Sequence, residues 1–529
     1  MYRVRYLEQN DKMSQQVRLR MLEEVYPPEL LQACVQQSPK RQQKRRRLRH
    51  FTALSVLWFL LAMVLWSRLA QGRVWDKLTH WLQDRFPEAP QEPAGPSALS
   101  YQRAMLGVEP LQWLFEQGTH VLCTPETPGA WYQGYRLMAL DGSLFNVPDT
   151  EANAAAFGRS CNQYGKGAYP QARAVMLTEC GSHATVGLHL GDYDEAEIHG
   201  AYALLPKLSR GMFLLYDANV FGGAYLEALN AKGVRALFAL PSTVGLQRMR
   251  NLPDGSYLAR LTPQRRAVYP MQQPVWLRVI EYQITDERLG EPGRVYRLGT
   301  TWLNPGTAPA KELLVLYHER GEIELVVDEL KTHLRVQQKV LRSHTPEGVR
   351  QELYALFVVH FAMRALMARS ALQAELDPDR LSFSEAVFQL CEAVADERGE
   401  PESAGQPCRT QRLLQRLRRH LLPERRLRIN RRELKQVYHK YKPKKRDVPP
   451  PKPFEPGERF EEFVVIMVRP EGSKLLAEAT PLVPTLPHSV VNIHQGDCST
   501  FLQIEPCLTI YENATPEGII CWNVEFSLI

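Results

Sequence analysis

An α/β fold is predicted for the centre of the chain, and two observations predict it. Between about 134 and 240 the apolar pattern gives short runs in the order strand, strand, strand, helix, strand, helix, strand. Acidic residues close the first and fourth strands, at Asp141 in "YRLMALDGSLFNVP" and at Asp217 in "GMFLLYDANVFGG". A three-stranded meander carrying one acid, then a crossover to a strand carrying a second, is the order expected of an RNase H-like core.

Each element has a local cause. "ARAVMLTECG" and "SHATVGLHLGD" are strand runs meeting at the turn-forming pair Gly181-Ser182. "EAEIHGAYALLPKL" reads as a helix, and "AYLEALNAKG" as a helix stopped by glycine before the strand "VRALFALP". Residues 241–305 return to strands ("LPDGSYLARL", "QPVWLRVIEYQIT", "GRVYRLGTTWL") and predict a β-rich insertion between the second acid and the later helices. Helices resume in "PEGVRQELYALFVVHFAMRALMARSAL", whose leading proline suits a first helical turn. The organisation is therefore an N-terminal helical domain over 1–125, a core in two parts (126–240 and 306–400) around the insertion, and a basic segment over 401–446. Residues 447–529 form a Pro-rich linker, "DVPPPKPFEPGE", and a β-like tail with no legible chemistry.

Composition narrows the function classes. The 529 residues are 44% hydrophobic and 23% charged, an ordinary globular balance with material for a large core. Nine scattered cysteines without a CxxC pair argue against a disulfide framework or zinc ribbon and suit a reducing cytosol. The polar first 30 residues lack a secretory h-region. The 17 uncharged residues "FTALSVLWFLLAMVLWS" (51–67), behind the basic run "KRQQKRRRLRH", stand at the lower limit for a bilayer span. The soluble amphipathic spacing of Val74, Trp75, Leu78, Trp81 and Leu82 favours a buried helix instead, and no membrane is expected. A net charge of +7 conceals an asymmetry: Arg409–Arg446 holds 16 Lys/Arg against two acids, a net +14, leaving −7 elsewhere. Such a block attracts a polyanion by releasing its condensed counterions.

The stretch "YHERGEIELVVDELKTHL" supplies a third acid. As one helix, its Tyr317, Arg320, Glu324 and Lys331 fall in a stripe about 60° wide, beside an apolar stripe of Ile323, Val326, Val327, Leu330 and Leu334. Asp141, Asp217 and Glu324 at one rim offer hard oxygen donors for two Mg²⁺ ions about 3.5–4 Å apart, the arrangement that clamps both oxygens of a phosphoryl transfer. Taken singly, "DGS" at Asp141 is also a turn, Asp217 a helix cap, and Glu324 an i,i+4 partner of Arg320.

The spacing Tyr317-x2-Arg320-x3-Glu324-x6-Lys331 resembles the Y–R–E–K signature of bacterial insertion-sequence DDE transposases of the IS-four (IS4) family. "YRLMALDGSLFNVPDT" resembles the first-Asp region of that family and "GDYDEAEIHGAYALLPKLSRGMFLLYDANVF" its second, and the likeness spans roughly residues 20–400. The resemblance implies a DNA transposase that nicks transposon ends and joins the freed 3′-hydroxyl to target DNA. Asp141, Asp217 and Glu324 would hold Mg²⁺, with Mn²⁺ as a substitute, while Tyr317, Arg320 and Lys331 grip DNA. It also implies double-stranded DNA partners, a homodimer in a synaptic complex, and a cytoplasmic, nucleoid-associated bacterial protein. Trp302 is a candidate for stacking on a flipped base, or for core packing. Two departures stand out: "ANVF" after Asp217, and Gly321 where the family has tryptophan. A cleavage-only or decayed nuclease on the same fold, a noncatalytic basic DNA-binding protein, and a membrane-anchored regulator using 51–67 are the rival readings.

Overall fold

A computed structural model describes residues 19–39, 52–85, 95–318 apart from 163–164, 264–268 and 292, then 322–335, 339–396, 409–423, most of 452–467 and three strands within 503–526. Its N-terminal part is helical: α1 (Pro28–Gln36), α2 (Ala53–Leu65), α3 (Gln71–Arg85), α4 (Pro96–Leu106) and α5 (Glu109–Gly118). Thr52 and Ser55 form a reciprocal capping box that starts α2. From Val56 to Leu65 every residue of that helix is buried, so its lack of a polar face reflects a core position. The basic run 40–50 lies outside the described residues.

The core follows in chain order. Strands β1 (Tyr135–Asn146), β2 (Gln171–Glu179) and β3 (Thr185–Gly191) form the meander. Then come α6 (Glu197–Leu204), β4 (Met212–Tyr216), α7 (Gly223–Ala231) and β5 (Arg235–Ala239). The insertion supplies β6 (Gln247–Asn251), β7 (Tyr257–Leu261), β8 (Val275–Ile284) and β9 (Val295–Thr300). The sheet order is β3-β2-β1-β4-β5-β9-β8-β7-β6. β1 pairs in parallel with β4, and β4 with β5; β1–β2 and β2–β3 are antiparallel. This is the RNase H-like arrangement, and the insertion lengthens its sheet: β9 pairs antiparallel with β5 through Leu298–Ala239 and Thr300–Leu237. The short strand β10 (Val464–Ile466) adds to β8.

Both faces of the central strands are covered, which explains the unbroken apolar run Leu137–Leu140 in β1. Met138 and Leu140 enter a large core with the N-terminal helices, while Leu137 and Ala139 enter a smaller one. Helices α8 (Ala310–His318) and α9 (Glu322–Asp328) follow the insertion, and α9 passes into a π-helix, Glu329–Leu334. The fully buried Arg278 of β8 fixes the start of α8: its Nη1 donates to Ala308 O (2.6 Å) and it pairs with Asp254, whose Oδ2 accepts from Ala310 N (3.0 Å).

The long α10 (Pro346–Leu372), capped by Thr345, is the one described helix long and apolar enough to cross a membrane. It is instead mostly buried within the protein, packed on α2 and α5, with Tyr26 Oη donating to Val358 O (2.8 Å). Behind it lie α11 (Phe383–Asp396) and α12 (Arg409–Leu417). The start of the basic block is thus an amphipathic helix that buries Leu413, Leu414 and Leu417; residues 424–446 lie outside the described residues. Residues 478–529 make a separate unit, with an antiparallel meander of Gln503–Ile504, Leu508–Ala514 and Ile520–Phe526.

Candidate active site

Strand register builds the site. Leu140 of β1 is the parallel partner of Tyr216 at the end of β4, so the next residues, Asp141 and Asp217, stand side by side on strands about 4.8 Å apart. Asn219 orients Asp217, donating from its backbone N to Oδ1 (2.9 Å) and from Nδ2 to Oδ2 (3.1 Å). The cap that "DAN" suggests is therefore present, and it aims the carboxylate.

A third acid joins them. Asp141, Asp217 and Glu197, the first residue of α6, each bring a carboxylate oxygen within 4.8 Å of the others, and all three are half-buried. Arg173 of β2 donates from Nη1 to Glu197 Oε1 (2.9 Å). Gly142 makes room: a Cβ there would lie 2.5 Å from the Glu197 carboxyl carbon. Three oxygen donors at this spacing, with Arg173 offsetting part of their charge, fit a hard divalent cation. Sequence reasoning missed Glu197 because a glutamate in a helix's first turn is ordinary. The signal was the glycine after Asp141, which leaves room for a side chain arriving from another element.

Glu324 is exposed on α9, outside this group, although α9 packs on β1. The single helical stripe expected from Tyr317 to Lys331 needs correction. From Glu329 the winding is π, which takes more residues per turn and moves Lys331 off a 3.6-residue phase. Arg320 and Gly321 lie outside the described residues. Tyr317 Oη donates to Tyr216 O (3.3 Å), beside Asp217. Lys331 Nζ donates to Ser143 Oγ (2.7 Å) and lies 5.0 Å from the centre of the Phe145 ring. Burial and then the positive Arg335 bring its pKa down to about 8, against the pull of Asp141. Two elements of the signature thus reach the two strands that carry the acids.

The π-helix begins at a buried ion-pair cluster. Glu329 accepts from His360 Nε2 (2.9 Å) and Arg364 Nε (3.0 Å), both on α10, while Arg364 Nη2 contacts His183 Nδ1 (2.9 Å). Burial raises the Glu329 pKa, but Arg364, His183 and His360 outweigh it and hold the carboxyl well below its usual range. Trp302 is 7% exposed; it packs edge-on against Tyr132 and Tyr135, lies under Arg235, and donates from Nε1 to Thr307 Oγ1 (2.9 Å). Its place is the smaller core, so in this structure it packs among apolar neighbours.

Residues 16–116 match the family described as Insertion element 4 transposase N-terminal, and residues 132–362 match Transposase DDE domain. The chain belongs to the IS4 family of DDE transposases. Transposase InsG for insertion sequence element IS4, from Escherichia coli (strain K12), is 28% identical over 365 residues, covering 68% of this chain and 79% of the relative. Putative transposase InsZ of the same strain is 28% identical over 225 residues, covering 41% and 69%. A cryo-EM structure of a piggyBac transposase synaptic complex with hairpin DNA aligns with 77% of this chain and 85% of that one, at 11% identity and a TM-score of 0.38. As an IS4-family transposase the chain is an enzyme that acts on DNA, and its DDE domain implies use of a divalent metal.

Proposed function

We propose that this transposase nicks DNA at the ends of a mobile element and transfers the freed 3′-hydroxyl into target DNA, using Mg²⁺ held at Asp141, Asp217 and Glu324. The observation that carries the reading is the register that sets Asp141, midway along β1, beside Asp217 just past the end of β4. Bound there, divalent ions supply activation of the attacking oxygen and neutralisation of the leaving one.

The chain's own groups do the rest. Asn219 and Arg173 hold two carboxylates in place. Lys331, set beside β1 by Ser143, presents a positive charge to a phosphate, and Tyr317 borders it from α8; Arg320 joins them by its place in the signature. Glu324 is the third ligand by family spacing and by the packing of α9 on β1, whereas Glu197 stands nearer the aspartates. The N-terminal helical region would bind element ends, and two copies would synapse two ends. Cutting of DNA that carries an element end, measured in Mg²⁺ with wild type, Asp141→Asn and Glu324→Gln, tests the reading: loss of cutting with DNA binding retained supports it, and undiminished cutting by either variant refutes the site. Cutting without any joining product would favour the cleavage-only nuclease.

A further inference from the structure

We infer that a cleft between α2, α10, the end of the π-helix at Leu334–Arg335 and residues Leu341–Arg342 is a binding site for a phosphate-type oxyanion. Leu60 and Val64 of α2 and Leu356 of α10 form apolar walls, and Arg335, Arg342 and Glu352 supply the charge. Nearby, Arg103 of α4 donates from Nη2 to Ser343 Oγ (2.7 Å), which itself donates to Glu352 Oε2 (2.9 Å). Three guanidinium groups thus lie in the electrostatic field of one carboxylate.

The hydrogen bonding shows which group remains available. Arg342 is committed: its guanidinium donates to the carbonyls of Leu69 (2.8 Å), Met63 (3.3 Å) and Ser67 around the C-terminal end of α2. Glu352 is occupied by the backbone N–H groups of Arg342 (3.1 Å) and Ser343 (3.1 Å). Arg335 is 7% exposed, lines the cleft, and its Nη2 has no hydrogen-bond partner among the described residues. A buried guanidinium without a full set of acceptors is costly, and a tetrahedral oxyanion accepts from it in its preferred planar fork. Burial is the leading influence on all three arginines, and Arg342 further disfavours the charge on Arg103 and Arg335, the imbalance an anion corrects.

The site is separate from the acid group and needs no divalent metal, so it stands or falls independently of the proposed cutting reaction. The oxyanion has two sources, free inorganic phosphate or a backbone phosphate of bound DNA, since Arg335 lies four residues beyond Lys331.

The test uses the full chain. Inorganic phosphate is titrated at ionic strength held constant with sodium chloride, and followed by calorimetry and by thermal unfolding, for wild type, Arg335→Met and Arg335→Lys. Wild type should bind phosphate and unfold a few degrees higher in it. Arg335→Met should bind at least tenfold more weakly and gain no such shift, yet unfold no lower than wild type in phosphate-free buffer, because a buried charge has been removed. Arg335→Lys should keep a reduced response. Competition between phosphate and a short DNA duplex assigns the site to backbone phosphate, whereas independent binding assigns it to the free ion. No phosphate effect on wild type, or an equal effect on Arg335→Met, overturns the inference.

Discussion

Lys331 donates to Ser143 across 2.7 Å, which ties the π-helix to the strand that carries Asp141 two residues earlier. With its pKa brought to about 8, Lys331 loses charge within an accessible pH range. Affinity for a short element-end duplex, measured without metal, should fall several-fold between pH 7 and 9.5 in wild type and stay nearly level in Lys331→Arg. Parallel profiles would remove Lys331 from the DNA contact. The linkage to stability runs the other way: a lysine whose folded pKa is depressed carries a burial cost below about pH 8 that disappears as pH rises toward its unfolded value.

Glu197 makes a separate prediction. Glu197→Gln should weaken Mn²⁺ binding by about 10–100-fold, the range for groups that support a metal site. Gly142→Ala should do much the same without removing an acid, because its Cβ meets the Glu197 carboxyl carbon. Calorimetric titration of Mn²⁺ decides; unchanged affinity in both variants would leave Glu197 a partner of Arg173 only.

Removing Glu329 should be expensive. Glu329→Ala leaves Arg364 buried without its counter-charge, at about 3–5 kcal/mol in chemical denaturation. The pH dependence has a definite sign. A carboxyl held below its usual pKa stabilises the fold above the unfolded value near 4.5, and that contribution is lost as pH falls through the folded value. Burial lowers the His360 pKa against the pull of Glu329, so that histidine favours unfolding once pH drops below about 6.5. Wild type should therefore melt progressively lower from pH 7 to 4, and a flat profile would count against the buried pair.

Trp302→Ala should cost about 3–5 kcal/mol of stability, as for large aromatic truncations in a core. The matching expectation is little change in duplex affinity once folding is accounted for. A variant of normal stability with weakened DNA binding would reinstate Trp302 as a contact.

That Asp141 and Asp217 meet was legible because parallel strands bring their residues into register, but Asp141 does not close its strand as the turn-like "DGS" suggests: β1 continues through it to Asn146, paired with β2. Strand order in the core was legible for the same reason. Helix phase between Tyr317 and Lys331 was not, because α-helical periodicity was assumed where the burial of Glu329 against Arg364 and His360 accompanies a π turn. Glu197 was hidden because its place depends on α6 crossing a glycine far away in sequence. Trp302 was ambiguous from sequence, since a tryptophan in a strand-rich region suits either packing or stacking; in the fold it sits among core neighbours.

The pairing of β9 with β5 has a consequence for anyone trimming this chain. A shortened version lacking 241–305 would not simply lose an appendage; it would leave β5 with a bare row of backbone donors and acceptors. Such an exposed ribbon recruits other chains, so the excised protein should precipitate or assemble edge to edge rather than persist as a minimal catalytic unit.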